Sequence, residues 1–439
     1  MTPPETRTPS SATGLEVRPF RALTYRRRDP GHLARVSSPA YDLVTPAGRT
    51  RLADADPHNI VRLILPAVDR DAADPAGAGA GGGSAELAAR TLDRWLREGV
   101  LERDDEAALW LYELQPPDGT AATLGWLGAV ALPPPGSGAV LPHEDTFPVA
   151  VEGRRALLSA TRTDLEPIVL AHDPEPVVAE LTGRARRGPA SLEVLDTDGV
   201  GHRLWRVTDP EGLRSLTAAL GRTAAVIADG HHRFAAARAH ARQEPAVAGS
   251  DAILALATPM GAGGLRVDPI HRVVPDLTMD AAVAAASQGF RVTDAGAAPG
   301  GGDLSALVRR WLRGGGTARF LVTDGRRLVE VDEPSDAVVA AVPSEAPLAW
   351  RGLDVVLAHH GLLGRLWRRS DEPGAVLIGH TVDEAIAIAV ERGGVAVLLR
   401  APSPVDVAAV ARAGARMPRK STLFVPKPRT GLVLRPLAD

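Results

Sequence analysis

The chain writes its positive charge almost entirely as arginine. It has 48 arginines and two lysines, Lys420 and Lys427, which share one eight-residue stretch. Codon bias toward arginine explains the scarcity, so each surviving lysine calls for a reason. A lysine is a compact point charge that a planar guanidinium does not replace. Around it, Arg419-Lys420-Ser421-Thr422 offers cations, hydroxyls and backbone N–H groups together. As a phosphate-binding P-loop the stretch fails. Counting from Gly414, position 419 is arginine where glycine is required, and Pro418 and Pro426 oppose a following helix. What remains is an extended basic loop for a phosphate or carboxylate, or an ordinary charged surface loop. Lys420 is the expected catalytic cation, with Lys427 as a second contact.

A second constellation is Asp229-Gly230-His231-His232-Arg233. An apolar run, AAVIADG (224–230), stops at a glycine, and an alanine- and arginine-rich helix follows. The first turn of a helix has free N–H groups and the positive end of the dipole. Glycine permits close approach, and an arginine adds a bidentate clamp. That combination makes a phosphate site. The plainer alternative is a strand-to-helix turn capped by Asp229, with solvated histidines. The two histidines point about 100° apart on a helix, so they do not share a metal by themselves.

Further candidates are weaker. His143, Glu144 and Asp145 lie in a loop before Arg154-Arg155 and offer a general base or Mg²⁺ ligands. Asp42 sits in PAYDLV (39–44), and Asn59, the only asparagine, sits in DPHNIVRLILP (56–66). Asn59 ties a loop through its amide or binds a ligand. His271-Arg272 repeats the His-Arg pair after an apolar run. Glu144, Lys420, His231 and Asp42 are therefore the catalytic candidates. The phosphate candidates are Asp229 to Arg233, Arg419 to Thr422 and Lys427; Asn59, His143, His271 and Arg272 are candidate substrate contacts. The metal is undefined. Without cysteine, Cys-ligated zinc and iron–sulfur sites are excluded, and no haem or HExxH signal appears.

The elements that must position these residues follow from patterning. With 439 residues, two or three domains are expected. Residues 1–14 read as a disordered tail and 71–84 as a flexible linker before a helix at 85–98. Strand pairs are expected at 107–115 with 122–132, at 189–208 around Asp198-Gly199, and at 318–332. After Pro275, strands alternate with helices, which predicts βαβ units. An N-terminal α+β domain over 15–275 and a C-terminal α/β domain over 276–439 are expected. A net charge of −3 argues against general nucleic-acid binding. Without a long apolar run or a signal-peptide pattern, no membrane partner and a cytoplasmic location are expected. Oligomeric state is left open.

Taken together, PAYDLV, DPHNIVRLILP, PHEDT (142–146), IADGHHRFAAA (227–237), PIHRVV (269–274) and MPRKSTLFVPKPRTGL (417–432) resemble domain-of-unknown-function family 1015. Phe234 stands where the family usually has tyrosine, and Ala415 where it often has glutamate. The IADGHHRFAAA block is also similar to the nucleotide-binding box of the ParB/sulfiredoxin superfamily, which includes free-serine kinases and CTP-binding ParB proteins. That likeness implies an α/β fold with a ParB/sulfiredoxin-like core. It also implies ATP, ADP or CTP with Mg²⁺ as cofactors. The family often sits beside serine-biosynthesis enzymes, which implies a small hydroxy or phosphorylated metabolite as substrate. The expected function is a phosphotransferase on a compound such as serine. A phosphatase on the same phosphomonoester and a non-catalytic nucleotide-gated switch are the alternatives.

Overall fold

The computed structural model describes residues 14–67, 82–261, 264–297, 304–312, 314, 319–370, 372, 374–418 and 420–438. Most of the expected tail and linker, the 298–302 loop and Arg419 lie outside the described residues. The helix expected at 85–98 spans Gly82–Arg97, so 82–84 open the helix instead of ending the linker.

The chain is mixed α/β and divides into two units. The first comprises residues up to Leu265 together with Pro426–Asp439, and the second is Arg266–Val425. The boundary expected at Pro275 therefore falls ten residues earlier, and the last fourteen residues belong with the first unit. The cause is long-range pairing that no local pattern reveals. Arg266–Asp268 pairs with Leu423–Val425 inside the second unit. Past Pro426, Leu432, Val433 and Leu434 join the core cluster of Phe20, Trp95 and Trp110.

The first unit is built on a nine-stranded sheet. In order across it run Val140–Leu141, Ala225–Asp229, Ile168–His172, Ala252–Pro259, Thr123–Ala131, Leu109–Gln115, Gly201–Val207 and Leu192–Leu195; Val17–Arg18 also pairs with Thr123–Ala131. The expected 107–132 and 189–208 hairpins are both present, and Gly199 takes the left-handed φ of 78° that its turn needs. Successive residues of a strand face opposite sides. Here both sides are buried: Trp110, Tyr112 and Leu114 enter one core, and Leu109 and Leu111 the other. Such strands read as continuous apolar runs. Helix Gly82–Arg97 covers one face through Ala88, Leu92 and Trp95. Helix Pro210–Leu220 covers the other through Leu216, Ala219 and Leu220.

The second unit holds a six-stranded sheet in the order Arg291–Ala297, Arg327–Asp332, Phe320–Thr323, Val395–Leu399, His271–Val274, Leu377–Gly379. Every neighbouring pair is antiparallel. The strand–helix alternation does produce a crossover: Leu377–Gly379, helix Val382–Glu391, Val395–Leu399. Its two strands run parallel but do not touch, because His271–Val274 lies between them and pairs with both.

Candidate functional site

The Ala225–Asp229 strand ends in a register shift against Ile168–His172, between Ile227 and Asp229. Such a bulge re-aims the side chain beside it. Gly230 follows with φ 95°, a left-handed conformation, and caps helix His231–Gln243. The first helical bond runs from Phe234 N–H to Gly230 O at 2.9 Å. A Cβ on Gly230 would lie 2.7 Å from Ile168 Cγ2, so the position admits glycine on steric as well as conformational grounds.

Asp229 is the centre of an ion cluster. Its carboxylate meets Lys427 Nζ at 2.7 Å and Arg233 Nη2 at 2.5 Å. Lys427 also bonds Asp42 Oδ2. Lys427 is 10 % exposed and Asp42 39 %, so Asp42 is the carboxylate that water and small molecules reach. Burial pushes Asp229 up, but Arg233 and Lys427 outweigh it and hold the carboxyl below its ordinary value. Burial likewise lowers Lys427, and Asp229 and Asp42 more than offset it, so the ammonium is held above the usual lysine range. Arg233 also donates to Pro167 O at 2.5 Å. Its guanidinium and that of Arg154 lie over the Tyr41 ring, at 5.6 and 3.8 Å from the centroid. Buried Glu166 accepts from Tyr41 N–H and Thr430 Oγ1, both at 3.0 Å. A cavity of about 40 Å³ lies against Arg154, Glu166 and Arg233.

Lys427 is held in place by its own neighbours in the chain. Two residues on, Arg429 is buried and donates to Ser37 Oγ at 2.6 Å and Ala34 O at 3.1 Å. Thr430 exchanges backbone bonds with Ser38. Further on, buried Arg435 bonds Asp164 at 2.6 Å.

The histidines of the helix start hold a loop. His231 Nε2 accepts from His143 N–H at 3.2 Å, and His232 Nε2 accepts from Phe147 N–H at 3.1 Å. An Nε2 that accepts leaves the ring proton of the neutral form on Nδ1. In His231 that nitrogen faces Glu144 Oε2 at 4.0 Å. The His143 and His231 rings meet edge to face, 4.6 Å between centroids. Thus the 142–147 loop, the 229–233 turn and Lys427 converge within the first unit.

Lys420, Ser421, Thr422, His271 and Arg272 belong to the second unit. Lys420 is exposed with φ 55°, and its carbonyl accepts from Arg272 Nη1 at 2.8 Å. Ser421 is buried and bonds Pro418 O. Within the first unit, the lysine at the Gly230 turn is Lys427, whereas the sequence favours Lys420. His271 Nδ1 accepts from Leu399 N–H at 3.2 Å inside the second sheet. Burial, aided by Arg272, lowers the His271 pKa to about 4. A neutral buried histidine gives stability that is complete above its unfolded pKa and is lost as pH falls toward the folded one. The second unit is expected to lose roughly 2 kcal/mol between pH 7 and pH 5 from this group. Denaturation midpoints across that range check it, and a His271→Asn variant should flatten the slope. The second unit also has a cavity of about 340 Å³, lined in part by Asp354, Arg400 and Asp406, with none of the expected site residues on its wall.

Asn59 is fully buried and its amide is spent on the backbone. Nδ2 donates to Arg35 O at 2.6 Å and Ser37 O at 3.2 Å, while Oδ1 accepts from Val61 N–H at 2.9 Å. Of the two roles open to it, the structure assigns the loop tie. Asn59→Ala should cost about 1–3 kcal/mol by leaving buried groups unsatisfied, read by urea denaturation.

Tyr41, Arg154 and Glu166 were not among the expected site residues. Arg154 was visible only as part of an Arg-Arg pair, and Glu166 carries no local signal. Among the described residues, no group of three or more His, Asp or Glu side chains is arranged to hold a metal ion, and no helix is long and apolar enough to cross a membrane.

No curated protein matches the chain. Among solved structures it is similar to a free serine kinase in complex with AMP, at 13 % identity and TM-score 0.31, covering 68 % of this chain and 87 % of that one. It is also similar to SbnI with a C-terminal truncation from Staphylococcus aureus, at 12 % and 0.37, covering 71 % and 88 %. A conserved hypothetical protein from Pyrococcus furiosus matches at 14 % and 0.30, covering 68 % and 90 %. The profile of the protein-of-unknown-function family DUF1015 matches residues 17–356, well over half of this sequence, and the chain belongs to that family.

Proposed function

We propose that the first unit binds nucleotide phosphates at the Gly230 helix start and transfers a phosphoryl group to a small hydroxy compound of the serine type. One observation carries the proposal: a half-exposed carboxylate, Asp42, is held by a buried lysine, Lys427, beside that helix start. A nucleotide-gated switch needs only to bind. Transfer to a hydroxyl needs a proton acceptor next to the phosphate, and Asp42 supplies one.

In the step, the hydroxyl oxygen bonds the phosphorus and the bond to the bridging oxygen of the nucleotide breaks. The hydroxyl proton passes to Asp42. Lys427 stays charged at neutral pH and offsets negative charge on the phosphoryl oxygens, the main form of help such a reaction takes from protein. The positive end of the dipole of helix His231–Gln243 adds to it. Mg²⁺, if carried in on the phosphates, would supply further charge neutralisation there. His231 and His232, through their bonds to the 142–147 loop, keep Glu144 beside the helix start.

The test is to mix purified protein with ATP or ADP, Mg²⁺ and serine and to assay phosphoserine by mass spectrometry, alongside a thermal-shift panel of ATP, ADP and CTP. A rise in melting temperature with phosphoserine formation is expected. Phosphate release from phosphoserine without nucleotide would reassign the same parts to a phosphatase. If no nucleotide moves the melting temperature, the proposal fails.

A further inference from the structure

Phe147 is the one aromatic among the exposed large apolar side chains of the described residues, at 52 % exposed. Its ring lies nearly parallel to His232, 9° between planes and 5.9 Å between centroids. Its own backbone N–H donates to that histidine, so ring and helix start are fixed together. Two more exposed apolar residues stand on the same loops. Leu43 directly follows Asp42, and Val149 sits in the first turn of helix Pro148–Thr161. Single exposed apolar residues are ordinary on a surface. Three that flank Asp42 and the His232 contact in the chain, one of them an aromatic tied to His232, supply apolar side chains for a rim on an otherwise ionic site. A phosphate or a serine has nothing to place on such a rim.

We infer that Phe147 is the stacking platform for the base of the nucleotide. This rests on the proposed phosphate site at Gly230, with which it shares the His231–His232 helix start. A base laid on Phe147 would extend the parallel stack already formed with His232. Offset stacks at 4.5–7 Å between centroids are the favoured aromatic geometry. Every base presents a π-face, so a stacking platform discriminates weakly among bases. The protein should therefore accept purine and pyrimidine nucleotides with similar affinity and read them mainly by their phosphates.

Calorimetric titration of the full chain with ADP, CDP and inorganic tripolyphosphate tests this. ADP and CDP are expected to bind within about tenfold of one another. Phe147→Ala should weaken both by about 5- to 150-fold, the loss of one base–aromatic stack, and leave tripolyphosphate within about twofold. Phe147→Tyr, which keeps the ring, should restore nucleotide binding. An unchanged ADP affinity in a folded Phe147→Ala variant, checked by circular dichroism, would overturn the inference. So would an equal loss for ADP and tripolyphosphate, because that marks a structural role. If the unaltered protein binds neither ADP nor tripolyphosphate, the phosphate site itself is overturned.

Discussion

Lys427→Met is expected to abolish phosphoryl transfer and to cost about 3–5 kcal/mol of unfolding free energy, the range for removing one partner of a buried ion pair. The ammonium is 10 % exposed and the Asp229 carboxylate 14 %. Methionine fills the same volume, so the loss is of charge and not of packing. Asp229 keeps Arg233, but Asp42 loses the cation that orients it. The pH dependence has two arms with opposite signs. Lys427 has a raised pKa, so its contribution is complete below the unfolded lysine value and is lost as pH rises through the folded one. Asp229 has a lowered pKa, so its contribution is complete above the unfolded value and is lost as pH falls through the folded one. The pair is thus intact throughout the neutral range, and the variant's deficit should be flat there. Urea denaturation at several pH values reads the stability, and phosphoserine formation reads the activity. A variant as stable as the parent would show that the cluster is not buried in solution.

The scarcity of lysine pointed to the right stretch of chain, and the family-like block reinforced it. The order of the two lysines was not visible. Lys427 owes its place to a segment pinned through Arg429 to Ser37 and Ala34, almost four hundred residues earlier in the chain. No composition or spacing near Lys427 encodes that. Short-range structure fared better. The Asp198-Gly199 turn and the strand that ends at Gly230 depend on neighbours in sequence, and both stand where patterning put them. The crossover around Val382–Glu391 was visible as alternation. The insertion of His271–Val274 between its strands was not, because that strand arrives from a hundred residues away. Asn59 drew attention through rarity alone, and rarity does not separate a ligand contact from a loop tie.

Gly230→Ala carries the second large effect, and it tests the helix start without removing a charged group, although the new methyl would also meet Arg233 Nη2 at 3.2 Å. The residue holds φ 95°, where a side chain costs about 1–3 kcal/mol. The added methyl would also meet Ile168 Cγ2 at 2.7 Å and Ile168 Cβ at 3.0 Å. Ile168 is fully buried in the sheet and cannot swing away, so overpacking adds about 1–3 kcal/mol more. The strain relaxes only by shifting Asp229 or the first turn of the helix, and either movement separates Asp229 from Lys427. The expected result is a loss of about 2–6 kcal/mol in urea denaturation together with loss of tripolyphosphate binding. Ala235→Gly, about one turn along the same helix and without an ionic side chain, gives the comparison. It should cost about 1 kcal/mol through helix propensity alone and leave tripolyphosphate binding in place. If both substitutions lower binding equally, helix stability governs the site. If only Gly230→Ala does, the conformation of the turn governs it.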